Sequence, residues 1–93
     1  MSYAVFVTVS VKNGRLDEAE EGLRTMVVPS TSQSGGFLHG TWWRSADDSM
    51  GYGLVVFENE AAAKEMAAQV VEPPGDAPVS IKSVEVGAVS IEA

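Results

Sequence analysis

The side chains of this chain that are best suited to chemistry fall in two neighbouring β-like segments. His39, Thr41 and Trp43 alternate along the first segment, so they share one face of a strand. Tyr52 in the second segment stands opposite Trp43 if the hairpin between them is centred at Asp47–Asp48. Histidine is a common general base, and aromatic rings stack on flat ligands. We therefore predict His39 as a catalytic residue and Thr41, Trp43 and Tyr52 as ligand contacts.

The same residues also have a structural interpretation. His39 is the only histidine and lacks a carboxylate at ligand spacing, so we expect no metal site, and His39 could equally be a structural or interface residue. Trp42 points to the face opposite Trp43 and stands across from Gly53, where an indole usually covers a strand glycine. The glycine-rich stretches lack the strand-to-helix context of a phosphate loop, and we expect no cofactor.

Composition excludes several classes of function. The chain has 93 residues, a net charge of −7 and only six scattered basic residues, which argues against nucleic-acid binding. Its longest apolar run is too short to cross a membrane. It has no cysteine, which excludes disulfides and thiolate sites, and no secretory signal is visible, so we expect a cytoplasmic protein.

Hydrophobic periodicity predicts six elements in one domain that covers residues 1–93. Period-two runs indicate strands and period-3.6 stripes indicate helices. Pro29 should end the first helix, and phase changes in the last strand predict irregularities near Ser83 and Gly87. The elements are strand 1 (Tyr3–Val11), helix 1 (Arg15–Val28), strand 2 (Phe37–Arg44), strand 3 (Met50–Phe57), helix 2 (Glu60–Val71, capped by Asn59) and strand 4 (Val79–Glu92).

This order predicts an α+β, ferredoxin-like β-α-β-β-α-β fold with a four-stranded antiparallel sheet and strands 1 and 3 at its centre. Two helices cover only one face of such a sheet. The other face would be too apolar for water, which predicts a homodimer joined through it. We place on one face Phe37, His39, Thr41, Trp43, Tyr52, Leu54 and Val56, and on the other Leu38, Gly40, Trp42, Gly53, Val55 and Phe57.

Three segments resemble the dimeric α+β barrel superfamily, and most closely its small antibiotic-biosynthesis-monooxygenase-like proteins. They are Val27–Pro29 at the end of helix 1, Gly36–Trp42 at the entry to strand 2, and Gly53–Ala62 from strand 3 into helix 2. The resemblance covers nearly the whole chain and implies a homodimer with a ligand cavity in each subunit. It also implies binding of a hydrophobic or aromatic molecule, with cofactor-independent oxygenation as the activity.

Other members of that superfamily degrade haem or isomerise lactones. Its monooxygenases use a strand asparagine with a tryptophan and a tyrosine or histidine, whereas the asparagines of this chain, Asn13 and Asn59, fall in a turn and a helix cap. The alternative is therefore a non-catalytic dimeric module, structural or stress-related, in which the aromatic face is only the dimer core.

Overall fold

Four β-strands form one antiparallel sheet in the computed structural model, which describes residues 1–93. The strand order β2-β3-β1-β4 places the two most apolar strands at the centre, where each is hydrogen-bonded to a neighbouring strand on both edges. This confirms the predicted ferredoxin-like α+β topology. The strands are β1 (Tyr3–Val11), β2 (Phe37–Arg44), β3 (Met50–Phe57) and β4 (Val79–Ala88).

The first helical stretch continues past the proline that was predicted to end it. It consists of α1 (Leu16–Gly22), one π-turn (Leu23–Val27) and α2 (Val28–Ser32). The N–H of Val28 bonds to the carbonyl oxygen of Leu23, five residues earlier, so one extra residue is looped out. Pro29 then lies in the first turn of α2, where its missing N–H has no helical partner to lose. The predicted helix end was therefore wrong.

The last helix, α3 (Glu60–Gln69), joins the sheet in the core. The Asn59 side chain accepts a hydrogen bond from the backbone N–H of Ala62 at 2.8 Å, which confirms the predicted N-cap. Ala63 is fully buried against Phe57 and two central-strand valines, Val5 and Val55. The core is thus centred beneath α3, at one end of the sheet.

The β2–β3 hairpin has the predicted register at its closed end and a shift at its open end. Trp43 pairs with Tyr52 and Trp42 with Gly53, as the symmetric hairpin predicted. The register shifts between Phe37, which pairs with Phe57, and the next paired residue, His39. Because an extra residue there reverses the alternation, Phe37 faces the helices, and its predicted position beside His39 was wrong.

The β1–β4 pair also contains one irregularity. Thr8 pairs with Ser83 but Val9 pairs with Ile81, so Lys82 is the extra residue, and the irregularity predicted near Ser83 is confirmed. The irregularity predicted near Gly87 is a break and not a bulge: Gly87 and Ala88 still pair with β1 in register, and the strand ends at Ala88, before the tail that runs to Glu92.

The sheet has one helix-covered face and one helix-free face. The helix-free face carries a stacked aromatic group in which the ring centroids of Trp43 and Tyr52 lie 5.3 Å apart and each lies 6.2 Å from that of Phe6. Trp43 is 45% exposed and Leu54 is 36% exposed. None of the helices has both the length and the apolar character that a membrane span requires.

Candidate functional site

A cavity of about 840 Å³ lies between the helices and the sheet. Its volume is in the range of small-molecule sites, and 18 of its 30 lining residues are hydrophobic, which suits an apolar ligand. Neither α1 nor the π-turn has a buried residue, so this part of the helical layer stands away from the sheet. The walls include Val7, Val9 and Val11 of β1, Leu16, Ala19 and Leu23 of the helical stretch, and Met66 and Val70 near the end of α3.

Trp42 lies on the sheet side of this cavity and is fixed by two glycines. A methyl group added at Gly53 would lie 2.9 Å from both Cδ1 and Nε1 of the indole, and one added at Gly40 would lie 2.6 Å from Cη2. The ring therefore lies directly on the backbone of β2 and β3, as an indole covering strand glycines. The packing role predicted for Trp42 is confirmed, and the same residue also lines the cavity.

Of the four residues predicted to form the site, two line the cavity and two do not. Trp43 and Tyr52 are brought together, and both contribute to the cavity wall at the hairpin end of the sheet, although their rings stack on the helix-free face. His39 and Thr41 do not line the cavity. His39 instead faces the C-terminal tail, with its Nε2 atom 3.4 Å from Oε2 of Glu92.

Arg44 links the hairpin to α1 at the rim of the cavity. Its Nη1 atom donates to the carboxylate of Glu20, and its Nε atom lies 2.9 Å from Oδ1 of Asp48. Both Glu20 and Arg44 line the cavity. This ion pair therefore bridges the helical layer and the sheet at the hairpin end of the cavity.

A second ion pair holds the start of α1. Arg15 donates from Nε and Nη2 to the two carboxylate oxygens of Glu18, at 3.0 and 2.7 Å, and from Nη1 to the carbonyl oxygen of Asp76 at 2.7 Å. The hydrogen bond from Arg15 lowers the pKa of Glu18, and the same bond raises the pKa of Arg15. Glu18 is therefore a carboxylate, and three glutamates of α1, Glu18, Glu20 and Glu21, are each paired with an arginine.

Neutral polar groups of α2, of the segment that follows it and of the last turn of α3 line the opposite end of the cavity. Thr31 is 7% exposed and is the only buried polar residue of the chain. Ser34 and Gln69 line the same cavity and also border a smaller, more polar one of about 310 Å³. The site thus has an apolar middle with an aromatic floor, one charged rim and one uncharged polar end.

Sequence reasoning missed Glu20, Arg44 and Thr31. The ion pair joins residues that are 24 positions apart, and no local pattern indicates such a contact. Thr31 was assigned to a loop because Pro29 was expected to end the helix. No cluster of three or more His, Asp or Glu side chains could hold a metal ion. The chemistry that the cavity offers is therefore binding, stacking and orientation of an apolar molecule.

The chain matches no known family model, and no curated protein matches its sequence. Its fold does match solved structures. A candidate antibiotic biosynthesis monooxygenase from Bordetella bronchiseptica is 16% identical, with 97% of this chain and 98% of that chain covered and a TM-score of 0.64. Rv0793 from Mycobacterium tuberculosis is 20% identical, with 100% and 99% covered and a TM-score of 0.64.

A third structure is a variant of SnoaB, a cofactor-independent oxygenase from Streptomyces nogalater. It is 21% identical, with 98% of this chain and 94% of that chain covered and a TM-score of 0.62. At such identities the likeness shows the fold alone, and it spans nearly the full length of every chain compared. The chain therefore has the fold of the antibiotic biosynthesis monooxygenase-like proteins, as the resemblance of its strands and helices predicted.

Proposed function

We propose that this protein binds a hydrophobic aromatic small molecule between its helices and its sheet, and that it acts on that molecule as a cofactor-independent monooxygenase-like enzyme. The observation that carries the proposal is the cavity of about 840 Å³, apolar in most of its lining and floored by the Trp42 indole. The shared fold with a cofactor-independent oxygenase supports the reaction class. This support is an analogy of fold, because function depends on the site.

Trp42 is the residue that orients the ligand in this proposal. One side of its indole rests on Gly40 and Gly53, so the ring has a fixed position before any ligand arrives. A preformed aromatic surface loses little freedom on binding and favours offset stacking of a second flat ring. Without a cofactor, the substrate itself must supply all four electrons that reduce dioxygen. An electron-rich quinol can do so: 1,4-naphthalenediol would take up one oxygen atom to give 2-hydroxy-1,4-naphthoquinone, and the other oxygen atom would leave as water. The protein then contributes orientation and a site with little water.

We also propose that the protein is a homodimer joined through the helix-free face. Phe6, Trp43 and Tyr52 form a stacked aromatic group there, and Leu54 beside them is 36% exposed. Burial of such surface stabilises an assembly by roughly 25 cal/mol per Å² before the costs of association. Sedimentation at micromolar concentration should give the mass of two chains, and a stable single chain would contradict this assembly.

In that dimer the partner subunit would enclose the predicted residues His39, Thr41, Trp43 and Tyr52. Their contact with a ligand stays a prediction. A ligand bound by these residues would lie on the helix-free face, whereas a ligand stacked on Trp42 would lie on the helix-covered face. Emission from Trp43 and emission from Trp42 therefore distinguish the two locations.

Single-tryptophan variants test where the ligand binds. Trp43→Phe leaves Trp42 as the only indole, and Trp42→Phe leaves Trp43. Titration with 1-naphthol should quench Trp42 emission saturably in Trp43→Phe, and Trp42→Phe should bind more weakly because the stacking surface is smaller. Quenching confined to Trp42→Phe would place the ligand on the helix-free face and contradict the proposed cavity site.

The oxygenase part is tested by oxygen uptake with 1,4-naphthalenediol, without added metal or cofactor and corrected for uncatalysed oxidation. We expect uptake that depends on intact Trp42. Saturable binding without enzyme-dependent uptake would favour the alternative, a non-catalytic dimeric module. Two observations favour that alternative: the only histidine, His39, lies outside the cavity, and both asparagines lie outside the strands.

A further inference from the structure

One buried hydroxyl in the cavity lacks a protein partner. Thr31 is 7% exposed and lines the cavity from α2. Other hydroxyls of the same helical stretch bond to a backbone carbonyl about one turn earlier: Thr25 to Glu21 at 2.8 Å and Ser32 to Pro29 at 3.1 Å. The Thr31 hydroxyl makes no such bond. It is therefore free to pair with something other than the protein.

The surface that remains on this hydroxyl opens on the cavity. No side-chain oxygen or nitrogen in the structure is both sealed from solvent and without a hydrogen-bond partner, so the Thr31 oxygen retains some accessible surface. Thr31 is otherwise buried and lines the cavity, so we assign that surface to the cavity side. A polar group in such surroundings is costly unless it is hydrogen-bonded, and it can be satisfied by water or by a ligand.

We infer that the Thr31 hydroxyl is the hydrogen-bonding anchor of the cavity and pairs with a neutral oxygen, a carbonyl or a hydroxyl, of an otherwise apolar ligand. The inference deepens the proposed function and rests on it. A threonine hydroxyl both donates and accepts, so it suits either type of oxygen. The ligand oxygen is neutral because no cationic side chain lines this end of the cavity to pair with an anion, and the charged side chain of the adjoining smaller cavity, Glu65, is acidic and would repel one.

Paired ligands of nearly equal shape test this directly. 1-Naphthol and 1-methylnaphthalene differ by a hydroxyl in place of a methyl group. Their affinities for the unmodified protein, Thr31→Val and Thr31→Ser are measured by equilibrium dialysis, with circular dichroism to show that each variant is folded. The measured quantity is the preference for naphthol, the ratio of the two dissociation constants. When this ratio is compared between variants, the difference in hydrophobicity between the two ligands drops out, because it is the same in every variant.

Thr31→Val should reduce the preference for 1-naphthol by about threefold to tenfold, as expected for loss of one hydrogen bond. Thr31→Ser should keep most of the preference, because it keeps the hydroxyl. Thr25→Val is the matched control, since its hydroxyl already bonds to Glu21 and the residue does not line the cavity. This control should leave the preference unchanged.

The outcomes separate the anchor from the cavity itself. If both compounds bind and Thr31→Val keeps the full preference, the anchor is contradicted while the proposed function stands. Equal loss in Thr31→Ser and Thr31→Val would also contradict it, because packing and not the hydroxyl would then be responsible. If neither compound binds the unmodified protein, the proposed cavity function is contradicted, and the anchor with it.

Discussion

Gly53→Ala is the sharpest perturbation that the structure suggests. The new methyl group would lie 2.9 Å from Cδ1 and from Nε1 of Trp42, whereas carbon atoms in contact are roughly 3.5–4.0 Å apart. The indole must therefore move by roughly 0.6–1.1 Å. It cannot slide along β2 freely, because its far edge rests on Gly40. The open direction is into the cavity, so the ring should tilt away from the sheet.

Two opposing terms set the size of the effect. Overpacking in a core typically costs about 1–3 kcal/mol, and the empty cavity places this case at the low end because the ring has room to move. Alanine in a strand offsets about 0.5–1 kcal/mol through the lower freedom of the unfolded chain. The net loss of unfolding free energy should be no more than about 0.5 kcal/mol, which lowers the midpoint of thermal unfolding by at most about 2–4 °C in a domain of this size.

Thermal unfolding is measured at one fixed protein concentration, because dissociation of a dimer makes the midpoint concentration-dependent. Trp43→Phe is the common background, so that all emission comes from Trp42. We expect a lower midpoint, emission at longer wavelength and weaker binding of 1-naphthol. Gly22→Ala is the control, since nothing lies within 4 Å of its added methyl group and its backbone is helical. It should raise the midpoint.

An unchanged midpoint together with unchanged Trp42 emission in Gly53→Ala would contradict the contact between Trp42 and Gly53, because the indole would then not rest on that glycine. A loss of the same size in Gly22→Ala would also refute it, since the effect would no longer depend on contact with Trp42.

Two other predictions follow from the hairpin and the helix-free face. Hydrogen bonds from the side chain and backbone N–H of Ser49 and from the Ser45 hydroxyl lower the pKa of Asp47 to about 2. The folded pKa lies below the ordinary value of about 3.9, so the contribution to stability is complete above about pH 4 and is lost as the pH falls towards 2. Urea midpoints of the unmodified protein should therefore fall relative to those of Asp47→Asn across that interval, and parallel curves would contradict the assignment. Trp43→Lys should shift sedimentation from dimer to single chain, whereas Lys64→Ala on the exposed side of α3 should not; a Trp43→Lys dimer of unchanged affinity would show that the helix-free face is not the interface.

Strand positions could be predicted because they follow from local alternation. The observed bounds of β1, β2 and β3 are those expected from the runs of β-branched and aromatic residues, and the pairing of Trp43 with Tyr52 follows from the symmetry of a polar hairpin. The register shift that turns Phe37 towards Phe57 carries no such signal. It arises where Phe37 meets Phe57 with centroids 6.3 Å apart and planes at 81°, which is a tertiary contact.

The location of the cavity could not be predicted because it depends on a distance between layers. The stripe Leu16, Ala19, Leu23 is equally compatible with a helix that packs tightly on the sheet. The structure shows instead that no residue of α1 or the π-turn is buried. Only the approach of the helix to the sheet decides whether Trp42 meets a side chain or an open space, and the sequence of the helix does not encode that approach locally.

The π-turn makes the first helical stretch two separately phased segments. Thr31 follows Leu23 by eight residues, which in an uninterrupted α-helix would turn it by roughly 80° from the direction of Leu23. The π-turn takes up one extra residue without adding the rotation of roughly 100° that a residue gives in an α-helix. The turn that carries Thr31 therefore keeps nearly the direction of Leu23, and both side chains reach the same cavity. Deletion of one residue from Arg24–Val27 should therefore restore regular winding and leave the distal turn in its present direction, because Thr31 would then follow Leu23 by seven residues, close to two full turns. Thr31 would stay on the cavity side while the helix lost its looped-out residue.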